Sequence, residues 1–260
     1  MQSLEAELEA ARRLAVDDLA DAIESIGFEC TRCGACCKAD AEDDHTATVF
    51  PDEVRELEAS AARSAADDRV AGESQSPSDR ASDSTSREQT VEPRESDSYD
   101  GEYDWRDIAR PMPYGLSETE DGGLEGETFE WALQTDGCGD CTFYAEDESG
   151  TGACTVHDDR PLICRTYPFS VALAGTSQPM GEAVDEAGVV RAHECEGLGR
   201  DISREDAEEL ARALKERAVR ELEEAIAVRD TYEPIDPDPG EVVVHDSEGA
   251  KRVDGTPLEE

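Results

Sequence analysis

The stretch Cys30-Thr-Arg-Cys33-Gly-Ala-Cys36-Cys37 sets four thiols within eight residues, and Cys138, Cys141, Cys154, Cys164 and Cys195 follow far downstream. Cysteines scattered singly pack as small hydrophobes. Four crowded into one glycine-containing turn cannot all be core. Thiolates so spaced converge on one point, which suits a soft metal ion or an iron–sulfur cluster. The sequence therefore points first to metal.

Composition bounds the rest. The chain has 260 residues, of which 37% are hydrophobic and 5% aromatic, so its packed core is smaller than its length suggests. Asp and Glu number 66 against 24 Lys and Arg, a formal net charge of -42. Such a surface repels the phosphates of nucleic acid and an anionic membrane face. The acid is spread along the whole chain, and lysine occurs only at Lys38, Lys215 and Lys251. That distribution fits adaptation to molar salt, where the Debye length falls to about 3 Å, better than a surface aimed at one basic partner. No basic leader precedes an apolar stretch, and no window nears the roughly 20 apolar residues of a membrane span. The expectation is a cytoplasmic protein. In a reducing compartment, metal ligation explains nine cysteines better than disulfides do, and an odd count leaves one unpaired.

Outward from the cysteines, residues 3–26 read as one amphipathic helix. Leu4, Leu8, Ala11, Ala15, Leu19, Ala22, Ile23 and Ile26 form its stripe, Ser3 its N-cap and Gly27 its stop. Asp52 to Ala62 reads as a short helix behind Pro51. Residues 64–98 hold no Leu, Ile, Phe or Trp, and such a segment cannot offset its ordering entropy. Order resumes near Tyr103–Trp105. Glu127 to Thr135 alternates apolar and polar side chains and predicts a strand, and Val171 to Leu173 predicts another. Ser203-Arg-Glu-Asp206 opens a second amphipathic helix through Ala207, Leu210, Ala211, Leu214, Ala218, Leu222, Ala225 and Ile226, ending near Arg229. One strand is expected in the last stretch, at Val242–Val244.

These readings give an α+β fold with a metal-stapled, cysteine-rich centre. Residues 1–62 carry the first cysteine half and 63–103 a disordered acidic insertion. Residues 104–200 carry the second cysteine half, 201–230 the C-terminal helix and 231–260 an acidic tail.

The order Cys-x2-Cys-x2-Cys-Cys, Cys-x-Phe, Gly-x-Cys-x-Val, Arg-Pro-x-x-Cys-Arg-x-Tyr-Pro and a last cysteine resembles the YkgJ-like cysteine-cluster family, the zinc- or iron-chelating CxxCxxCC proteins. The match uses residues 30–37 and 138–195. The resemblance implies a metal set of Cys30, Cys33, Cys36, Cys37, Cys141, Cys154, Cys164 and Cys195, and leaves Cys138 as a spare thiol or an added ligand. A distant relative, the flagellin lysine N-methylase, methylates protein lysines with S-adenosylmethionine and carries an iron–sulfur cluster.

Several choices stay open at this level. Closed zinc coordination takes four thiolates, while Cys-x2-Cys-x2-Cys is also ferredoxin-like ligation of a [4Fe–4S] cluster, here without the Cys-x3-Cys-Pro ending. Side chains of adjacent Cys36 and Cys37 point apart, so one is structural or the two feed two centres. Eight thiolates fill two four-ligand sites, or one with four left over. Arg32, Arg160 and Arg165 could offset thiolate charge, or Arg160 and Arg165 pair with acids such as Asp158 and Asp159. His157 and His193 lie near cysteines and could complete a Cys3His site, whereas His45 and His245 read as exposed loop residues.

Other chemistry is missing. There is no dinucleotide fingerprint, no Walker-type loop, no nucleophile elbow and no radical-enzyme cysteine triplet. Three functions fit: a metal-binding protein holding an iron–sulfur cluster or zinc, a cluster-dependent protein methyltransferase or redox enzyme, and a metal-trafficking or redox-sensing module.

Overall fold

The computed structural model describes residues 3–39, 46–60, 103–120, 122–173, 183–185 and 188–258. The sequence predicts one N-terminal helix; the chain makes two, α1 (Leu4–Arg12) and α2 (Val16–Ile26). Arg13 caps the first, and Ala15 turns to extended backbone before the second. The break lets both short helices lie on one long helix, against which Leu4, Leu14, Val16 and Ile26 pack. Ser3 caps α1 as expected, accepting from the Ala6 amide at 3.3 Å, and Gly27 ends α2.

After β1 (Thr48–Val49), residues 51–60 form α3, and the rest of the expected 52–62 helix lies outside the described residues. So does the expected insertion, apart from Tyr103. The chain re-enters with α4 (Trp105–Ile108), β2 (Ala109–Pro111) and β3 (Ser117–Glu118). The single strand expected over Glu127–Thr135 is instead two, β4 (Leu124–Phe129) and β5 (Trp131–Leu133). Between them Glu130 adopts φ 70, a left-handed conformation that breaks the alternation. The kink sends β5 into a β1-β5-β2 sheet while β4 stays in another.

The cysteine region follows: β6 (Tyr144–Glu146), β7 (Gly152–Cys154), a 3-10 turn at His157–Asp159 and α5 (Leu162–Thr166). The strand foreseen at Val171–Leu173 starts earlier, as β8 (Phe169–Val171), in a sheet with β9 (Ala183–Asp185) and β10 (Val190–His193) in the order β8-β10-β9. Ser203 caps α6 (Arg204–Thr231), as the sequence predicts, and accepts from the Asp206 amide at 3.1 Å. The last segment supplies two strands, not one. β11 (Val242–Asp246) pairs parallel with β4, and β12 (Gly249–Lys251) pairs antiparallel with β11.

Two apolar cores result. In the first, α1, α2 and α6 enclose Leu8, Leu19, Ile23, Leu214 and Leu222 with Phe169 and Val190 of the β8-β10-β9 sheet. In the second, Val54, Leu57, Trp105, Ile108, Trp131, Leu133 and Phe143 pack between α3, α4 and the β1-β5-β2 sheet. The fold is α+β, with Cys141 in the second core and Cys37, Cys154 and Cys164 packed against it.

Arginine supplies the struts of this acidic chain. Arg204 on α6 bridges Glu24 of α2 at 2.7 Å, and Arg220 reaches Asp52 of α3 at 2.7 Å. These exposed pairs contribute little each, less in molar salt. Arg217 differs, for it is 1% exposed and donates to Glu221 at 2.6 Å, to Thr166 Oγ1 at 3.0 Å and to the Phe169 carbonyl at 3.4 Å. It thereby ties α6 to α5 and β8. Replacing it (Arg217→Leu) leaves those partners without their donor and is expected to cost about 3 kcal/mol. A lowered denaturant midpoint in molar salt would register it, and Arg217→Lys should recover part of the loss.

Candidate metal centre

The Cys30–Cys37 turn is built around Tyr144. Gly34 has φ 78, and a Cβ there would stand 2.3 Å from the Tyr144 hydroxyl, so only glycine lets the turn lie flat on that ring. Lys38 sits 5.1 Å from the ring centroid, pairs with Glu146, and shares that carboxylate with the Tyr144 hydroxyl at 2.6 Å. Backbone bonds then fasten the turn to the second cysteine half. The Gly152 amide donates to the Arg32 carbonyl at 2.8 Å, the Cys141 amide to the Cys37 carbonyl at 2.7 Å, and the Ala39 amide to Asp140 at 2.9 Å.

Each remaining cysteine has its own anchor. Cys154 stands on β7, opposite Tyr144 of β6. Cys164 rides on α5, whose first turn is fixed by Glu53 of α3. That carboxylate accepts from the Leu162 amide at 2.8 Å and the Phe50 amide at 3.0 Å, and burial raises its pKa. Ser60, also on α3, donates to Asp159 at 2.5 Å and holds the preceding 3-10 turn. Cys195 follows β10, and its loop lies along the segment before Cys30: Glu29 donates to the Gly197 carbonyl at 3.1 Å, and Phe28 bridges Leu198. Removing the Glu53 cap (Glu53→Ala) orphans a buried amide, an expected loss of about 1–3 kcal/mol in denaturant midpoint. Glu53→Gln, which keeps one acceptor, should lose less.

Cys141 is buried, Cys33, Cys37, Cys154, Cys164 and Cys195 are half-buried, and Cys30, Cys36 and Cys138 are exposed. The thiols act on one another. Cys36 is raised by its contact with Cys37, 3.8 Å between sulfurs, and then by burial. Burial pushes Cys141 up to about 11, and the charges of Cys154 and Cys36 add to it. Cys164 is raised well above the thiol range by burial and then by Cys141, Cys154 and Cys36. Cys195 is raised by burial and then by Cys33, Cys36 and Cys30. Burial lifts Tyr167 to about 12, and Cys195, Cys36 and Cys33 push the same way.

All eight cysteines of the implied metal set enter this web, and Cys36 recurs through it. Cys36, Cys141, Cys154, Cys164 and Cys195 are the raised thiols, and a nearby cation would favour their ionised form, as at a thiolate metal site. Among the described residues, no three Cys, His, Asp or Glu side chains yet stand close enough to hold a metal ion. The backbone joins the cysteine-bearing segments without drawing the sulfurs to one point.

The flanking residues divide. Arg160 is the arginine whose charge opposes the rise at Cys36 and Cys154; its Nε donates to the His157 carbonyl at 2.8 Å. The side chains of Arg32 and Arg165 are exposed. Cys138 lies on the turn closed by Asp136, which accepts its amide at 2.8 Å. His157 is exposed, 3.5 Å from Asp158, and His193 is buried with its Nε2 2.8 Å from Ser170 Oγ. His45 lies outside the described residues. His245, expected on the surface, is 2% exposed. It faces inward from β11, meets Glu127 of β4 at 2.8 Å, and packs against Phe129 and Tyr232. The parallel β11–β4 pairing, invisible in the local sequence, accounts for that burial.

Segments more than a hundred residues apart are thus bonded to each other beside their cysteines, as in a cysteine-cluster protein. Residues 29–196 match the CxxCxxCC family model, described as "Putative zinc- or iron-chelating domain", and the chain belongs to that family. No curated protein and no solved structure matches it. Among the described residues no helix is long and apolar enough to cross a membrane.

Proposed function

We propose that the protein binds zinc or an iron–sulfur cluster through Cys30, Cys33, Cys36, Cys37, Cys141, Cys154, Cys164 and Cys195. The observation that carries this reading is that backbone bonds join the Cys30–Cys37 turn to the second cysteine segment, in a chain whose residues 29–196 match a zinc- or iron-chelating family. A zinc ion or a [4Fe–4S] cluster would take four thiolates and relieve their repulsion. Its first task would be a staple, since the ligands come from distant segments and the apolar cores are small. Binding would require the sulfurs to be drawn inward from their present positions.

The test is metal analysis and an absorption spectrum of protein purified without oxygen, in the molar salt its charge calls for. Iron with acid-labile sulfide and a broad absorption near 400 nm would give the cluster. Colourless protein with stoichiometric zinc would give the closed structural site. Protein that holds neither would overturn the reading.

A further inference from the structure

We propose that the cleft between the two cores binds a small organic cation, an ammonium group carried on an apolar body about the size of one ring.

The cleft has a volume of about 150 Å³ and no cysteine lines it. Val49 and Trp131 of the second core contribute to its walls, as do Val171 and Leu222 of the first. A dry cavity of about 150 Å³ with comparable apolar walls holds one benzene ring, which sets the size of the occupant's body. An apolar pocket of this kind takes its specificity from the few polar groups in the lining.

Those groups are nearly all acidic. Besides Thr48, the polar side chains are Glu130, Glu221, Glu224 and Asp246. Asp246 is already satisfied, accepting from Trp131 Nε1 at 2.8 Å and pairing with Lys251 at 2.9 Å. Glu221 accepts from Arg217 at 2.6 Å, and Glu224 stands 3.9 Å from Arg220. Glu130 has no such cation among the described residues. Desolvation at the cleft raises its pKa, and the charges of Glu221 and Glu224 push the same way. Its backbone is pinned at φ 70, with its amide donating to the His245 carbonyl at 3.1 Å and its carbonyl accepting from the Met112 amide at 3.3 Å.

Two features set the class of cation. Among the described residues no three Asp, Glu, His or Cys side chains stand close enough to hold a metal ion, and apolar walls give a hydrated ion nothing in exchange for its water. An ammonium on an apolar body answers both parts of the lining: the body fills the cleft and the charge meets Glu130. Aromatic rings stand beside this acidic side. Phe129 directly precedes Glu130, and Tyr232 bonds back through its amide to Val228, which lines the cleft. Their rings are 47% and 38% exposed with centroids 5.5 Å apart, a surface that favours an approaching cation.

The full chain in molar salt is titrated calorimetrically with phenethylammonium, and with phenylethanol and phenylacetate as its neutral and anionic matches. A single saturable phase is expected for phenethylammonium, with phenylethanol at least about tenfold weaker and phenylacetate not bound. Glu130→Gln should weaken the ammonium about ten- to a hundredfold, the range for a hydrogen bond to a charged group, and leave phenylethanol nearly unchanged. Glu148→Gln removes an exposed charge between β6 and β7 and should change nothing, which separates the cleft from the general pull of a chain with net charge -42. Ala225→Leu fills the cleft and should abolish binding of both ring compounds. Should that variant fail to fold, Glu130→Lys still decides, since it offers the cleft a cation of the chain's own and should exclude the probe. Equal affinity for the alcohol and the ammonium overturns the cation assignment. Ammonium binding untouched by Glu130→Gln and Glu130→Lys overturns the location, and no saturable binding of phenethylammonium overturns the whole proposal.

Discussion

Stripping the metal with a chelator in molar salt is expected to melt the second core while the helical core stands. Cys141 lies in the second core, and Cys37, Cys154 and Cys164 pack directly on it, beside Trp131, Phe143 and Val156. Apart from α3, that core is assembled from short pieces: three-residue strands, the four-residue α4 and the five-residue α5. Structural zinc supplies about 10–16 kcal/mol of apparent folding free energy in small metallo-domains. A whole domain is stable by only about 5–15 kcal/mol. Metal on that scale decides whether such short elements hold together. The first core has its own apolar interior along α1, α2 and the 28-residue α6, and depends on the thiols far less.

The chain carries its own reporter for this difference. Its two tryptophans, Trp105 and Trp131, both lie in the second core with ring centroids 5.1 Å apart at 75°. Metal removal should shift their emission to the red and abolish near-UV dichroism, while most of the far-UV helical signal persists. Metal-free protein, verified by elemental analysis, with unchanged tryptophan emission and melting would contradict the staple role.

What the sequence made legible was the part written locally. The cysteine blocks declared the family, and the apolar stripes with Ser3 and Ser203 placed the helix starts. Period alone could not show that the first stripe breaks at Arg13–Ala15, because no glycine or proline marks the break; packing on α6 requires it. Likewise Glu127–Thr135 alternates smoothly through Glu130, whose left-handed backbone is imposed by two sheets pulling in different directions. The burial of Arg217 and His245 depends on partners from distant elements, and a charged side chain reads as surface until they are known. Glu53 was within reach. A glutamate three residues after the start of a helix is half of a capping box, and here it bonds back to Phe50 while fixing α5. That Cys37 packs on the second core was not legible, since spacing along the chain cannot say which of two adjacent cysteines faces a core.

Gly197→Ala should damage the site more than any neighbouring alanine. A Cβ at Gly197 would lie 2.3 Å from the Glu29 carbonyl oxygen and 3.0 Å from the Phe28 ring. The first of these atoms is backbone and cannot swing aside, so the paired segments must separate. Those segments carry Cys30 and Cys195, and the separation acts directly on their spacing. Overpacking of this kind costs about 1–3 kcal/mol, and the altered spacing of Cys30 and Cys195 should lower the bound metal. Gly137→Ala is the matched control, beside a cysteine but with no atom within 4 Å of its Cβ. It should retain wild-type melting and metal content. If Gly197→Ala also retains both, the contact between residues 28–30 and 195–199 does not set the site, and Cys195 would have to reach its metal by another path.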